Sequence, residues 1–135
     1  MNKTIIRLLV ICLVITMTAP VILATDSNTI QPRYTYANTL DAVLDISNGV
    51  AFCAVSLQLN DFNNCSVFCR LQQQQDGSWV TLKSWSEEAV YYVYSSQRWA
   101  VASGHNYRLS VYGYVYGDNG DIIETITNSD YCSYP

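Results

Sequence analysis

A chain of 135 residues has room for a single domain of ordinary size. With 11 acidic side chains against 7 basic ones and a formal charge of −4, it has no electrostatic attraction to phosphate backbones, which excludes nucleic acid as a natural partner. One histidine and no cluster of ligating side chains leave little material for acid–base catalysis or for a metal centre.

The first segment differs from the rest. Met1 to Arg7 carries Lys3 and Arg7 and no acid, the run Leu8 to Ile15 is apolar, and Val21-Ile22-Leu23-Ala24 precedes the polar stretch Thr25-Asp26-Ser27-Asn28. A basic start, a short apolar middle and a small residue before a polar segment predict a secretory signal over residues 1–24, cut after Ala24, with Ala19 as the weaker site because Pro20 follows it. The competing reading is an uncleaved anchor. Against it, Leu8 to Ala24 is broken by Thr16, Thr18 and Pro20, and no basic cluster follows. The expectation is a secreted, extracellular product without a stable membrane anchor. Removing residues 1–24 leaves five basic residues against all 11 acidic ones, so the remaining chain is more acidic still.

Residues 25–37 read as an extended polar lead and residues 38–135 as the folded domain, in which the hydrophobic period is two. Leu40, Val43-Leu44 and Ile46 mark a first strand, closed by Asn48-Gly49. In a second strand Cys53, Val55, Leu57 and Leu59 share one face, and Ala54, Ser56 and Gln58 the other. A third places Val67, Cys69 and Leu71 inward and Phe68, Arg70 and Gln72 outward. Asp76-Gly77, a dipeptide suited to the positive φ of a tight hairpin, leads into Trp79 to Trp85. Val90 to Tyr94 begins another β-rich run, less regular through Trp99 and Val101, and Gly104 marks a turn. The longest strand alternates Tyr107, Leu109, Val111, Gly113 and Val115 with Arg108, Ser110, Tyr112, Tyr114 and Tyr116. Gly117 to Gly120 forms a hairpin loop, and Ile122 to Thr127 returns as the last strand.

About seven strands predict an all-β, two-sheet antiparallel sandwich of immunoglobulin/fibronectin type III-like kind, with a small closed barrel as the competitor. Tyr107, two residues before Leu109, matches the corner tyrosine of such sandwiches. The only prolines beyond the signal, Pro32 and Pro135, fall outside every strand. Trp79, Trp85 and Trp99 read as core or rim aromatics.

Four cysteines remain beyond the signal: Cys53, Cys65, Cys69 and Cys132. In an exported chain an even number predicts disulfides, with three possible pairings. Zinc is the rival for the Cys65/Cys69 spacing, but no second close pair and no histidine beyond His105 support it, and free thiols are the third reading. His105 lies in the turn Gly104-His105-Asn106, away from any nucleophile. Glu87 and Glu88 are adjacent and would point to opposite faces, so they do not make a convergent carboxylate pair. Asp118, Asn119 and Asp121 have the composition of a turn more than of a calcium loop. The expectation is a non-catalytic chain with no metal and no cofactor.

Several segments, in order and spacing, resemble a family of small secreted Firmicutes proteins known only as a domain of unknown function. They are Ile30-Gln31-Pro32-Arg33-Tyr34, Gly49-Val50-Ala51-Phe52-Cys53, Leu71-Gln72-Gln73, Gly77-Ser78-Trp79, Lys83-Ser84-Trp85-Ser86, Ser103-Gly104 leading to Tyr107-Arg108-Leu109, and Val115-Tyr116 through Gly120 to Glu124-Thr125. The resemblance implies export and a β-sandwich and implies no activity. The four cysteines depart from the family pattern of one or none.

Tyrosine is the distinctive excess, with all 11 copies beyond the signal. Alternation puts Tyr112, Tyr114 and Tyr116 in a row on the face opposite Leu109, Val111 and Val115. Flanking strands add Phe68, Arg70 and Gln72. Such a strip suits stacking of sugar rings or anchoring of a protein partner; equally, tyrosine suits any exposed strand. The expected function is an extracellular binding or interaction module, for a cell-wall glycan or a protein partner, with an antagonistic or inhibitory secreted factor or a matrix component as alternatives.

Overall fold

The computed structural model describes residues 33–135, and the alternating segments form seven strands there. They are β1 (Ala37–Ser47), β2 (Val50–Leu59), β3 (Asn64–Gln75), β4 (Ser78–Val90), β5 (Tyr92–Ala100), β6 (His105–Tyr116) and β7 (Ile122–Tyr134). The expected signal over residues 1–24 and the lead through residue 32 lie outside the described residues. No helix occurs among the described residues.

Every strand pairing is antiparallel. One sheet has the order β1-β2-β5 and the other β4-β3-β6-β7. Two separate sheets, each with two edges, make a sandwich and not a closed barrel. In an immunoglobulin constant-type domain the fourth strand pairs with the fifth; here it pairs with the third. The turn dictates this. Asp76 (φ 49°) and Gly77 (φ 80°) form a two-residue hairpin connection, and a turn that short leaves β4 no neighbour but β3. Asn48 (φ 50°) and Gly49 (φ 74°) join β1 to β2 in the same way.

The inward residues meet in one core. Leu44, Cys53, Val55, Leu57, Val67, Cys69, Leu71, Val93, Leu109, Val111, Val115 and Ile126 are all buried, as period-two alternation requires when one face of each sheet is covered. At the inward position Gly113 the sheets leave little room for a side chain. A Cβ there would lie 3.1 Å from Ile126 Cγ1 and 3.4 Å from Leu57 Cδ2. Tyr107 is completely buried, and its hydroxyl donates to the Ala102 carbonyl at 2.6 Å, the corner contact expected from its position.

The two sides of the sandwich differ. On the β1/β7 side, β7 side chains satisfy the outer backbone of β1 and of the chain leading into it. Glu124 accepts from the N–H groups of Thr35, Tyr36 and Ala37, and Asp130 from that of Leu44, while Asn128 donates to the Leu40 carbonyl. On the other side β4 passes to β5 through Tyr91, whose φ of 70° is a left-handed conformation that bulky residues avoid. Its backbone is pinned from both directions: Tyr91 N–H donates to Asn63 O at 3.0 Å and Leu59 N–H to Tyr91 O at 2.9 Å. Its ring stacks on Phe62, centroids 4.8 Å apart.

In β1 Val43 is 50% exposed, because Leu44 takes the inward position beside it. Three expectations are corrected. The irregular run after Val90 is a strand boundary: Val90 ends β4, and β5 starts after Tyr91. The last strand continues beyond Thr127 to Tyr134, since Asn128 and Asp130 spend their polarity on β1.

The third concerns cysteine. Cys53, Cys65, Cys69 and Cys132 are unbridged in this structure, and the strands exclude two disulfides among them. Register gives the reason for every pair that lacks Cys53. Cys65 and Cys69 lie on one strand, four residues apart, hence with Cα atoms about 13 Å apart when a bridge spans less than about 7 Å. Cys132 is level with Tyr107 of β6, whereas Cys65 and Cys69 are level with Val115 and Val111. Those offsets along β6 amount to about 26 Å and about 13 Å of strand, again beyond reach. At most one bridge, made by Cys53 from the opposite sheet, is compatible with this arrangement of strands.

Candidate binding face

The pairing register arranges the outer face of the four-stranded sheet in rows. Across β4, β3, β6 and β7 these read Glu88–Ser66–Tyr114–Thr125, then Ser86–Phe68–Tyr112–Thr127, then Ser84–Arg70–Ser110–Ser129. A bulge at Leu71/Gln72 makes Leu82 the extra residue of β4, and the rows continue as Thr81–Gln72–Arg108–Tyr131, then Trp79–Gln74 and Asn106–Ser133, which the Asn106 amide joins by donating to Gln74 Oε1 at 3.1 Å. Tyr112, Tyr114 and Tyr116 thus stand on one face of β6, each half-buried, while Val111, Gly113 and Val115 between them are buried. The five residues singled out in the sequence, these three tyrosines together with Phe68 and Arg70, share this face.

Phe68, Arg70 and Tyr112 touch directly. Arg70 donates through Nη2 to the Tyr112 hydroxyl at 2.9 Å. Its guanidinium carbon lies 5.1 Å from the Tyr112 centroid and 5.8 Å from that of Phe68, within cation–π range of both. The two rings are 6.5 Å apart and tilted by 40°. Arg70 Nε is buried without an acceptor, the one such side-chain atom among the described residues. Nearer the end of the sheet the Tyr116 hydroxyl is 2.8 Å from Ser66 Oγ. There an open cleft of about 530 Å³ is lined by Asn64, Cys65, Glu88, Val90, Tyr116 and Gly120.

A second aromatic group, at the other end of the face, escaped sequence reasoning as a group. Arg108 lies 4.6 Å from the Trp79 centroid and donates through Nε and Nη2 to Gln72 Oε1, and Gln72 in turn donates to Thr81 Oγ1. Trp79 and Tyr131 are tilted together at 6.0 Å. An open cleft of about 270 Å³ beside them is bordered by Gln74, Asn106 and Ser133. Alternation had placed Arg108 on the outer face, but Trp79 read as core or rim, and Tyr131 lay past the expected end of the last strand. Only the register brings the three together.

The remaining candidates stay apart. His105 packs edge-on to Tyr107, centroids 6.4 Å apart. Glu88 lies on the outer face, and Glu87, opposite Val67, on the other. The loop after β6 is a turn held by Gly117 N–H to Asp121 O and Gly120 N–H to Gly117 O, each 2.9 Å. Burial raises the thiol pKa of Cys65, which lines the cleft beside Tyr116, and so disfavours its reactive thiolate. Among the described residues no group of three His, Cys, Asp or Glu side chains is placed to hold a metal ion.

The face therefore combines aromatic rings, two guanidinium groups already fixed by hydrogen bonds, and a belt of hydroxyl and amide groups. It can stack on a flat apolar ring face and donate to acceptors around that ring's rim. No protein-family model matches the chain, and no curated protein is significantly similar to it.

Proposed function

We propose that the chain is an exported, non-catalytic binding module and that the outer face of the β4-β3-β6-β7 sheet receives a cell-wall glycan. The observation that carries this reading is the row of Tyr112, Tyr114 and Tyr116 beside Phe68 and Arg70, continued to Arg108, Trp79 and Tyr131. Sugar rings present C–H faces that stack on aromatic rings and hydroxyls that accept from guanidinium and amide donors. Arg70 and Arg108 are held in place before any ligand arrives, so little side-chain freedom is lost on binding. Same-face residues along β6 are spaced about 6.6–7 Å apart, which lets an extended chain of rings meet successive tyrosines.

The test is saturable binding of the purified protein to isolated bacterial cell wall and to a glycan panel. Tyr114→Ala and Trp79→Ala are measured beside Val43→Ala, a control at an exposed position of β1 on the opposite sheet. Loss of one stacking ring is expected to weaken binding about tenfold, corresponding to roughly 1.4 kcal/mol, with Val43→Ala unchanged. A folded protein that binds no wall or panel glycan, or binding indifferent to both face substitutions, overturns the reading.

A further inference from the structure

The sandwich has four edge strands, and three of them are guarded against pairing with another chain. β1 and β7 face each other, with Glu124, Asn128 and Asp130 occupying the backbone groups of β1 and its approach. β4 carries the bulge at Leu82 and the charges of Lys83, Glu87 and Glu88. Bulges and charges are the usual means of blunting an edge. β5 has neither bulge nor proline nor glycine. Its nine residues pair with β2 without a register shift, and Arg98 is its one charge. Among the described residues no side chain hydrogen-bonds to its backbone. Tyr92, Tyr94 and Trp99 are exposed along it at 48%, 55% and 40%.

We infer that the free edge of β5 pairs antiparallel with the β5 of a second copy of this chain. The argument for a copy is that the strand complements itself. With a two-fold axis at Ser96, Tyr94 lies opposite the copy's Arg98, Val93 opposite Trp99, Ser95 opposite Gln97 and Tyr92 opposite Ala100. An axis through a residue sets outer positions against outer ones and inner against inner, so both sheets keep their faces. The exposed Tyr94 and Arg98 are the groups that meet suitable partners; the Ser95 hydroxyl is already used by Trp85 Nε1 at 3.1 Å. Tyr–Arg occurs twice as a cation–π pair, favourable across strands; Val93 is already buried within its own protomer, and Trp99 carries the Lys83 ammonium 4.9 Å from its ring. No like charges are brought opposite each other. The result is a six-stranded sheet, β1-β2-β5 continued by its symmetry mate, which leaves the aromatic face of the other sheet outside the pairing. A single edge strand per protomer buries less than a standard interface, so association in the micromolar range is expected.

Sedimentation of the protein produced from the full chain, from low micromolar to submillimolar concentration, tests this. A reversible monomer–dimer equilibrium is expected. Ser96→Lys, at an exposed outer position opposite Ala54, places two ammonium groups against each other on the axis and is expected to weaken dimerisation at least tenfold while leaving the thermal midpoint of the monomer unchanged. Ser96→Cys in a Cys132→Ser background is expected to join two copies. Its two thiols lose two protons and two electrons to oxidised glutathione, forming one disulfide and two molecules of reduced glutathione. Ser86→Cys on β4 in the same background is expected not to cross-link. A protein monomeric throughout, a dimer insensitive to Ser96→Lys, or equal cross-linking from Ser86→Cys overturns the proposal.

Discussion

The Tyr107 hydroxyl donates to the Ala102 carbonyl at 2.6 Å, tying the start of β6 to the turn that precedes it. The same oxygen accepts from Gln73 Nε2 at 2.9 Å, so a fully buried hydroxyl has both its donor and an acceptor site used. Tyr107→Phe keeps the ring and strands both partners. It is expected to cost about 1–3 kcal/mol, read as a lower urea midpoint at an unchanged m-value.

Glu124 replaces, for the chain entering β1, the strand neighbour that an edge lacks. Its carboxylate accepts three backbone N–H groups, from Thr35, Tyr36 and Ala37, at 2.7, 3.1 and 2.7 Å. Glu124→Ala leaves those donors to solvent or unpaired, and a loss of about 1–3 kcal/mol is expected. Amide hydrogen exchange should speed up at these three residues while the centre of β6 stays protected.

Tyr91 offers a comparison between strain and contact. Alanine in its place loses the stack on Phe62 and keeps the φ of 70°; glycine loses the same stack and accepts that φ freely. Tyr91→Gly is therefore expected to be more stable than Tyr91→Ala by about 1 kcal/mol, the reverse of the usual order within strands. Equal thermal midpoints would mean that the backbone there stores no strain.

The thiols report on burial. Removal from water pushes the Cys53 thiol from 9.0 up to about 11 and the Cys69 thiol up to about 12, with Cys53 adding to the second. Both values lie above that of an unfolded thiol, so the unfolded chain releases these protons first. The contribution to stability is complete below pH 9, declines as pH rises above 9, and is spent by about pH 11–12. Near neutral pH an aromatic disulfide reagent should titrate Cys132 rapidly and Cys53, Cys65 and Cys69 only on denaturation. Two disulfides in a non-reducing peptide map would contradict the register argument given for Cys65, Cys69 and Cys132.

Much of the face was legible in the sequence because a strand shows its two sides in alternate residues. Leu109, Val111 and Val115 had only to face the core for Tyr112, Tyr114 and Tyr116 to share the other side. Asn48-Gly49 and Asp76-Gly77 announced their hairpins through backbone conformations that few residues tolerate. Trp79 with Arg108 and Tyr131 was not legible, since the three come from β4, β6 and β7, and their contact depends on one bulge and two registers. The break at Tyr91 was equally hidden: a tyrosine is an ordinary strand residue, and only its bonds to Asn63 and Leu59 hold it in the left-handed region.

The sequence by itself determined the all-β class, the number of strands, the inward side of the regular ones and the tyrosine corner. Each of these depends on local steric preference or on a period of two, which neighbouring residues express without reference to the rest of the chain. Tertiary structure alone decided that three strands oppose four, that β5 has the unguarded edge, that Glu124 and Asp130 serve the edge of β1, and that the cysteines stand too far apart for two bridges. These depend on which distant strands meet and in what register. The free energy of that choice is spread over many contacts, so no short stretch of sequence carries it.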